Sequence, residues 1–180
     1  MNSYICILRG INVSGNKIIK MDELKNLFQK LKFTEVQTYI QSGNVVFKTE
    51  EDDNSKLEMT IHSKILEVFG FEVPVIVKLS EQWEKVFNNN PFLKNRSEDI
   101  SKLHVTFLSN QPESVDVAQF SNFDFGTDEF QIIEDVVYLF CPLNGYGNTK
   151  LSNQFIETKL KCNATTRNWK TITQLMAMLK

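Results

Sequence analysis

One order of elements (strand, helix, two strands, helix, strand, helix) can be read twice along this chain. It predicts an α+β protein with two four-stranded antiparallel sheets. Three observations carry the prediction. The order recurs in residues 1–92 and again in residues 93–180, though side-chain identity does not. A length of 180 residues is long for one average domain and short for two, which suits two short repeats. Hydrophobic residues make up 42% and charged residues 23%, a globular balance that excludes a disordered chain. Internal duplication accounts for the repeat. The alternative is that two common arrangements stand side by side without shared origin.

In the first repeat, the apolar run Tyr4 to Leu8 reads as a strand, followed by a turn-rich stretch from Arg9 to Asn16. Met21, Leu24, Leu27, Phe28 and Leu31 then fall on one helical face. Asp22 and Glu23 open that helix and Lys30 and Lys32 close it, in keeping with its dipole. Val36–Gln41 and Asn44–Lys48 are β-prone runs separated by Ser42-Gly43, a tight hairpin signal. After the acidic loop Glu50–Asp53, a second helix carries Leu57, Ile61, Ile65 and Val68 and stops at Gly70, a C-cap. Val73–Leu79 reads as a strand with Pro74 marking an edge position. Ser80 is expected to cap a short helix with Trp83, Val86 and Phe87, ended by Asn88-Asn89-Asn90-Pro91.

The second repeat opens with the strand Leu103–Leu108. Pro112 introduces a short helix expected to pack through Val115 and Ala118. Phe130–Ile133 and Val136–Cys141 flank Glu134-Asp135 as a hairpin. A helix over Thr149–Lys161, an extended Ala164–Arg167 and a last helix with Trp169, Ile172, Leu175, Met176 and Leu179 complete it. With right-handed crossovers, each βαββαβ repeat folds into a sheet of order 4-1-3-2, the ferredoxin-like arrangement, followed by one extra helix.

The charge sum, 20 basic against 22 acidic residues, gives −2 and argues against a generic polyanion binder. Cys6, Cys141 and Cys162 are too few and too scattered for a disulfide framework, and with His62 and His104 they supply no zinc ligand set. The N-terminus lacks the pattern of a signal peptide, and no run is long enough to span a membrane. A reduced, cytoplasmic chain without metal or cofactor is the expectation. Oligomeric state is left open.

Only three of the basic residues are arginine: Arg9, Arg96 and Arg167. Arginine suits bidentate recognition of carboxylate or phosphate, whereas lysine serves as a solvated surface charge. The topology sets the end of the first strand beside the following hairpin, so Arg9 and Asn12 meet Gln41, Ser42 and Asn44. These residues are candidates for binding a small anion, with structural service to loop and hairpin backbone as the alternative. In the second repeat, Asn148-Thr149-Lys150 is brought towards Arg167-Asn168, and Lys150, Arg167 and Asn168 form a second candidate group. Lys150 in a helix's first turn opposes the dipole, which either flags an anion or is relieved by snorkelling into water.

Gly10 to Lys17 has the glycine spacing of a phosphate loop, but Asn16 precedes the lysine and Ile18 replaces the magnesium-binding hydroxyl. A βα loop with positive-φ glycines and a nest of backbone amides beside Arg9 are the other readings. His62 and His104 read as packed or surface residues, and Cys6 with His104 has no catalytic spacing. Glu50–Asp53 lacks the alternation of a calcium loop. The βαββαβ order also allows single-stranded nucleic-acid binding. That reading needs exposed sheet aromatics, and strand 1 is apolar on both faces. A structural or protein-interaction module without ligand is the remaining alternative.

Leu8-Arg9-Gly10-Ile11-Asn12-Val13, Tyr39 to Phe47 (YIQSGNVVF), Asn90-Pro91-Phe92 and Arg167-Asn168-Trp169 resemble the bacterial domain-of-unknown-function 1697 family from end to end of the chain. The resemblance implies two α+β subdomains, each similar to the ferredoxin-like fold, and leaves function open. Four positions depart from the family's pattern. Ser14 replaces a second glycine, Asn148-Thr149 replaces Arg-Ser before Lys150-Leu151, and Thr166 replaces an alanine.

Overall fold

β1 (Asn2–Leu8) is apolar on both faces, and in the computed structural model both faces are buried. The structure describes residues 1–94, 96–143 and 145–179. Two compact units result: Met1–Lys85 with the chain from Leu175 onward, and Val86–Gln174.

In unit 1, β1 is followed by α1 (Met21–Lys30), β2 (Thr34–Tyr39), β3 (Asn44–Thr49), α2 (Asn54–Phe69), β4 (Val75–Leu79) and the first part of α3 (Ser80–Asn88), as far as Lys85. The sheet order is β2-β3-β1-β4, all neighbours antiparallel, as the right-handed crossovers require. Tyr4, Cys6 and Leu8 alternate onto the helix-covered face and pack with Phe47, Phe28, Ile61 and Ile65. Phe47 anchors this core, with Tyr4 at 5.7 Å and Phe33 at 4.6 Å between ring centroids. Burying such a ring stabilises the fold by about 2–3 kcal/mol. Ile5, Ile7, Val46 and Ile76, on the other face, are buried too.

Local chemistry explains the ends of the helices. Asp53 accepts from the Ser55 and Lys56 amides at 2.9 and 3.2 Å and starts α2; Gly70, at φ 77°, ends it. Val68 is half exposed rather than packed, and Phe69 takes its place against the core. Ser80 is not a cap but the first helical residue of α3. The side chain of Gln82 instead accepts from the Leu79 amide, at 2.8 Å. Pro74 precedes an edge strand, as expected.

Unit 2 holds β5 (Leu103–Leu108), α4 (Ser114–Phe120), β6 (Glu129–Ile133), β7 (Val136–Phe140), α5 (Asn153–Leu160), β8 (Ala164–Asn168) and the first part of α6 (Trp169–Met178), as far as Gln174. Its sheet order, β6-β7-β5-β8, repeats that of unit 1. Leu108, Val137, Leu139, Phe120, Ile156 and Leu160 form its helix-side core. α4 presents a different face from the expected one. Val115 and Ala118 are exposed, while Phe120 and Asp116 are buried, the latter ion-paired to Lys161 at 2.7 Å. α5 begins at Asn153, later than expected, because Thr149 Oγ1 takes the Leu151 amide and Ser152 supplies the cap. Among the described residues, no helix is long and apolar enough to cross a membrane.

Candidate functional site

β1 and β2 run in the same direction, each antiparallel to β3, so the end of β1 meets the β2–β3 turn. The Leu8 amide donates to the Gly43 carbonyl at 2.8 Å and fastens the two together. Asn12, at φ 55°, is the second fastening. Its Nδ2 donates to the carbonyls of Gln41 and Ile19 at 2.8 and 2.9 Å, and its Oδ1 accepts from the Ile19 amide at 2.9 Å. Asn44 is fully buried and donates to the Tyr39 carbonyl and to Ser42 Oγ at 3.0 and 2.9 Å. Those two bonds open the hairpin to four residues, 40–43, since Tyr39 pairs with Asn44; the expected two-residue turn at Ser42-Gly43 is not formed.

Arg9, Asn12, Gln41, Ser42 and Asn44 are therefore brought to one sheet end. Asn12 and Asn44 hold loop and hairpin backbone there, and Ser42 accepts from Asn44. Arg9 is half-buried, with its amide on the Pro74 carbonyl at 3.1 Å, and Gln41 is exposed. Gly43 sits at φ 77°, where a Cβ would lie 2.8 Å from both Ile11 Cδ1 and Leu8 Cβ. Only glycine fits that approach.

Residues 9–20 do not build a nucleotide phosphate loop. A tight turn, with the Asn16 amide on the Val13 carbonyl at 2.9 Å, folds the loop on itself, and α1 starts only at Met21. Lys17 Nζ donates to the Glu72 carbonyl at 2.7 Å.

The second candidate group does not converge. Thr166 faces Thr106 and Arg167 faces Val105 in the register of β5 and β8, so the two neighbours lie on opposite faces of the sheet. Arg167 is buried, with Nη1 on the Thr166 carbonyl at 2.9 Å. Lys150 lies exposed ahead of α5 rather than in its first turn, with Nζ 3.3 Å from the Asp124 carbonyl. The expected conflict with the helix dipole is absent. Asn168 Oδ1 accepts from the Thr171 amide at 2.8 Å in the first turn of α6.

A polar chain that the sequence reading missed occupies the α5 side of this sheet. Thr166 Oγ1 bonds Thr106 Oγ1, Tyr146 Oη and Asn153 Oδ1 at 2.7, 3.0 and 2.6 Å. His104 stacks on Tyr146 at 4.8 Å, and burial lowers its pKa below the ordinary 6.5. Also missed were two carboxylates that cap edge strands: Glu58 on the Val77 amide and Glu157 on the Ala164 amide. The signal for them was present, since Asn54…Glu58 and Asn153…Glu157 repeat one spacing at the start of equivalent helices.

Nucleophilic chemistry finds no support in the thiols. All three cysteines are buried, and burial pushes Cys141 up to about 11 and raises Cys162. His62 bonds the Val73 carbonyl through Nδ1 at 2.9 Å. Among the described residues, no three His, Cys, Asp or Glu side chains gather as metal ligands. Glu50–Asp53 is put to structural use, since the Tyr4 hydroxyl donates to the Glu51 carbonyl and Asp53 caps α2. Tyr4 and Phe47 are buried in the core, away from any surface on which a base could stack.

A family model described as protein of unknown function, DUF1697, matches residues 1–138. Among solved structures, that of the conserved bacterial protein SP0830 from Streptococcus pneumoniae is similar, with a TM-score of 0.78. The two chains share 22% sequence identity over 99% of each, a likeness that shows the fold. No curated protein matches the chain.

Proposed function

We propose that this chain, which belongs to the DUF1697 family, binds a small phosphate- or carboxylate-bearing ligand where β1 meets the β2–β3 turn. The observation that supports this reading is the contrast between the two units. Unit 1 joins β1 to α1 through residues 9–20, where unit 2 makes the same connection with residues 109–113. The longer connection carries left-handed backbone at Gly10, Asn12, Ser14, Gly15 and Lys17, and the turn beside it at Ile40 and Gly43. A fold does not need such conformations to close its sheet, and strain of this kind gathers at ligand sites.

Within that frame, Arg9 supplies the cation and its fork of donors, and Gln41 an amide at the rim. Asn12, Ser42 and Asn44 are positioning residues that hold the two loops at a fixed separation. The reading is one of binding, with no reaction attached.

Thermal melting in inorganic phosphate, and separately in small dicarboxylates, tests it. Phosphate a hundredfold above its Kd stabilises the fold by about 2.7 kcal/mol. Arg9→Ala removes that gain, while Lys150→Ala keeps it. A gain that survives Arg9→Ala overturns the proposal. A second reading, a protein-docking surface at the same loops, is favoured by Val13, Ile18 and Ile40, which are 58%, 56% and 49% exposed. It predicts no anion effect and a partner whose affinity falls with Ile18→Ser.

A further inference from the structure

Four strands end the two sheets: β2 and β4 in unit 1, β6 and β8 in unit 2. A bare edge invites another strand, and proteins blunt such edges with bulges, charges or covering groups. Three of the four are blunted here. Against β4, Asn54 donates to the Val77 carbonyl at 3.2 Å, and the Glu58 and Gln82 side chains take the Val77 and Leu79 amides. Glu157 takes the Ala164 amide of β8. β2 is broken by a register shift between Thr34 and Gln37, with Glu35 at φ 49° and paired to Lys48 at 2.7 Å.

At β6 the one blunting charge is Glu129 at its start, held by Arg96 at 2.9 and 3.0 Å, and Phe130–Ile133 carry neither bulge nor charge. The strand's register with β7 runs unbroken from Glu129–Phe140 to Ile133–Val136. Among the described residues, no side chain bonds its outer backbone. The strand reads Glu-Phe-Gln-Ile-Ile, strongly β-forming and short of charge. Beside it lies a groove of about 630 Å³, lined by Pro112, Val117 and Ile132 with Glu113 and Glu134 among the wall residues. Asp135 follows in the hairpin turn. The walls suit a long side chain with an apolar stem and a cationic head.

We infer that β6 accepts an extended, lysine- or arginine-bearing segment of another protein as a fifth strand of the unit 2 sheet, with a basic side chain in this acidic groove. Main-chain bonds supply the affinity, and the carboxylates choose the partner. A second copy of this chain is the poorer occupant. Antiparallel self-pairing about Gln131 sets Asp128 opposite Glu134, like against like. The inference is independent of the anion site in unit 1.

Fluorescence anisotropy of the full chain with three synthetic hexapeptides tests it: alternating lysine and valine, alternating glutamate and valine, and the lysine peptide N-methylated on alternate residues. The lysine peptide binds, and the other two bind at least about tenfold more weakly. Gln131→Lys, an exposed change that charges the edge, weakens the lysine peptide by about tenfold. Glu134→Gln weakens it by a smaller factor and serves as the second variant. The inference is overturned if the lysine peptide does not bind or if N-methylation or glutamate makes no difference. It is equally overturned if the wild-type chain is dimeric by light scattering and Gln131→Lys makes it monomeric.

Discussion

The end of β1 in unit 1 and the end of β5 in unit 2 occupy the same place in the same fold and are built very differently. Unit 2 turns β6 into β7 through two residues, 134–135, with Glu134 at φ 54°. Unit 1 uses four residues, 40–43, and adds the long connection 9–20 in front of them. Since unit 2 closes an identical sheet order without that apparatus, the fold does not demand it. Non-glycine residues in left-handed backbone cost roughly 1–2 kcal/mol each, least for asparagine. Asn12, Ser14, Lys17 and Ile40 all adopt it at this one end. The difference teaches where to look for function: the repeat is its own control, and what one copy adds is what the fold alone leaves unexplained.

The largest expected effect comes from Gly43→Ala, which forces a Cβ against Leu8 and Ile11 at a positive φ. It should destabilise the protein by about 3 kcal/mol in urea unfolding. The hairpin of unit 2 has no such requirement, and Glu134→Ala should cost less than about 1 kcal/mol. Equal costs at the two turns would erase the contrast.

Next comes Asn12→Ala, which removes three hydrogen bonds and an asparagine suited to left-handed backbone. About 2 kcal/mol is expected in the same measurement, with hydrogen exchange rising in residues 9–20 and not in 109–113. Ile40→Gly goes the other way. It relieves a β-branched residue at φ 47°, offset by the entropy of glycine, for a gain of about 0.5 kcal/mol with weaker phosphate binding. A variant that is both more stable and unchanged in binding would separate the strain from the site.

The smallest effect belongs to unit 2 and to pH. Burial holds His104 neutral, with a pKa below its ordinary 6.5. A base whose folded value lies below its unfolded one contributes full stability above the unfolded value, and that contribution is lost as pH falls through 6.5 towards the folded one. Melting should therefore decline as pH falls below 6.5, and less so in His104→Gln. A wild type and variant with parallel pH profiles would remove His104 from this account.

Much of the fold was legible because its signals are local. The alternation of Tyr4 to Leu8, the glycine after Phe69 and the proline before β4 each mark an element without help from distant chain. The misses are of two kinds, distant packing and local side-chain geometry. The buried face of α4 is set by Phe120, which packs on Phe130 and Phe155, with Asp116 paired to Lys161, and not by Val115 and Ala118. The β2–β3 turn widened because Asn44 turns its side chain back onto Tyr39 and Ser42, a choice that turn statistics do not contain. The residues of the first candidate group meet at one sheet end because strand direction alone brings Arg9 to Gln41. The second was undone by parity. Thr166 and Arg167 are neighbours in sequence and must face opposite ways in a strand, a rule that could have been applied from the sequence.

The most direct measurement is a phosphate titration followed by amide chemical shifts of the isotope-labelled full chain. The account predicts saturable shifts confined to residues 9–19 and 40–44, absent in Arg9→Ala, with 109–113 and 134–135 unmoved. Shifts of equal size at both sheet ends, or none at residues 9–19 at saturating phosphate, would contradict it.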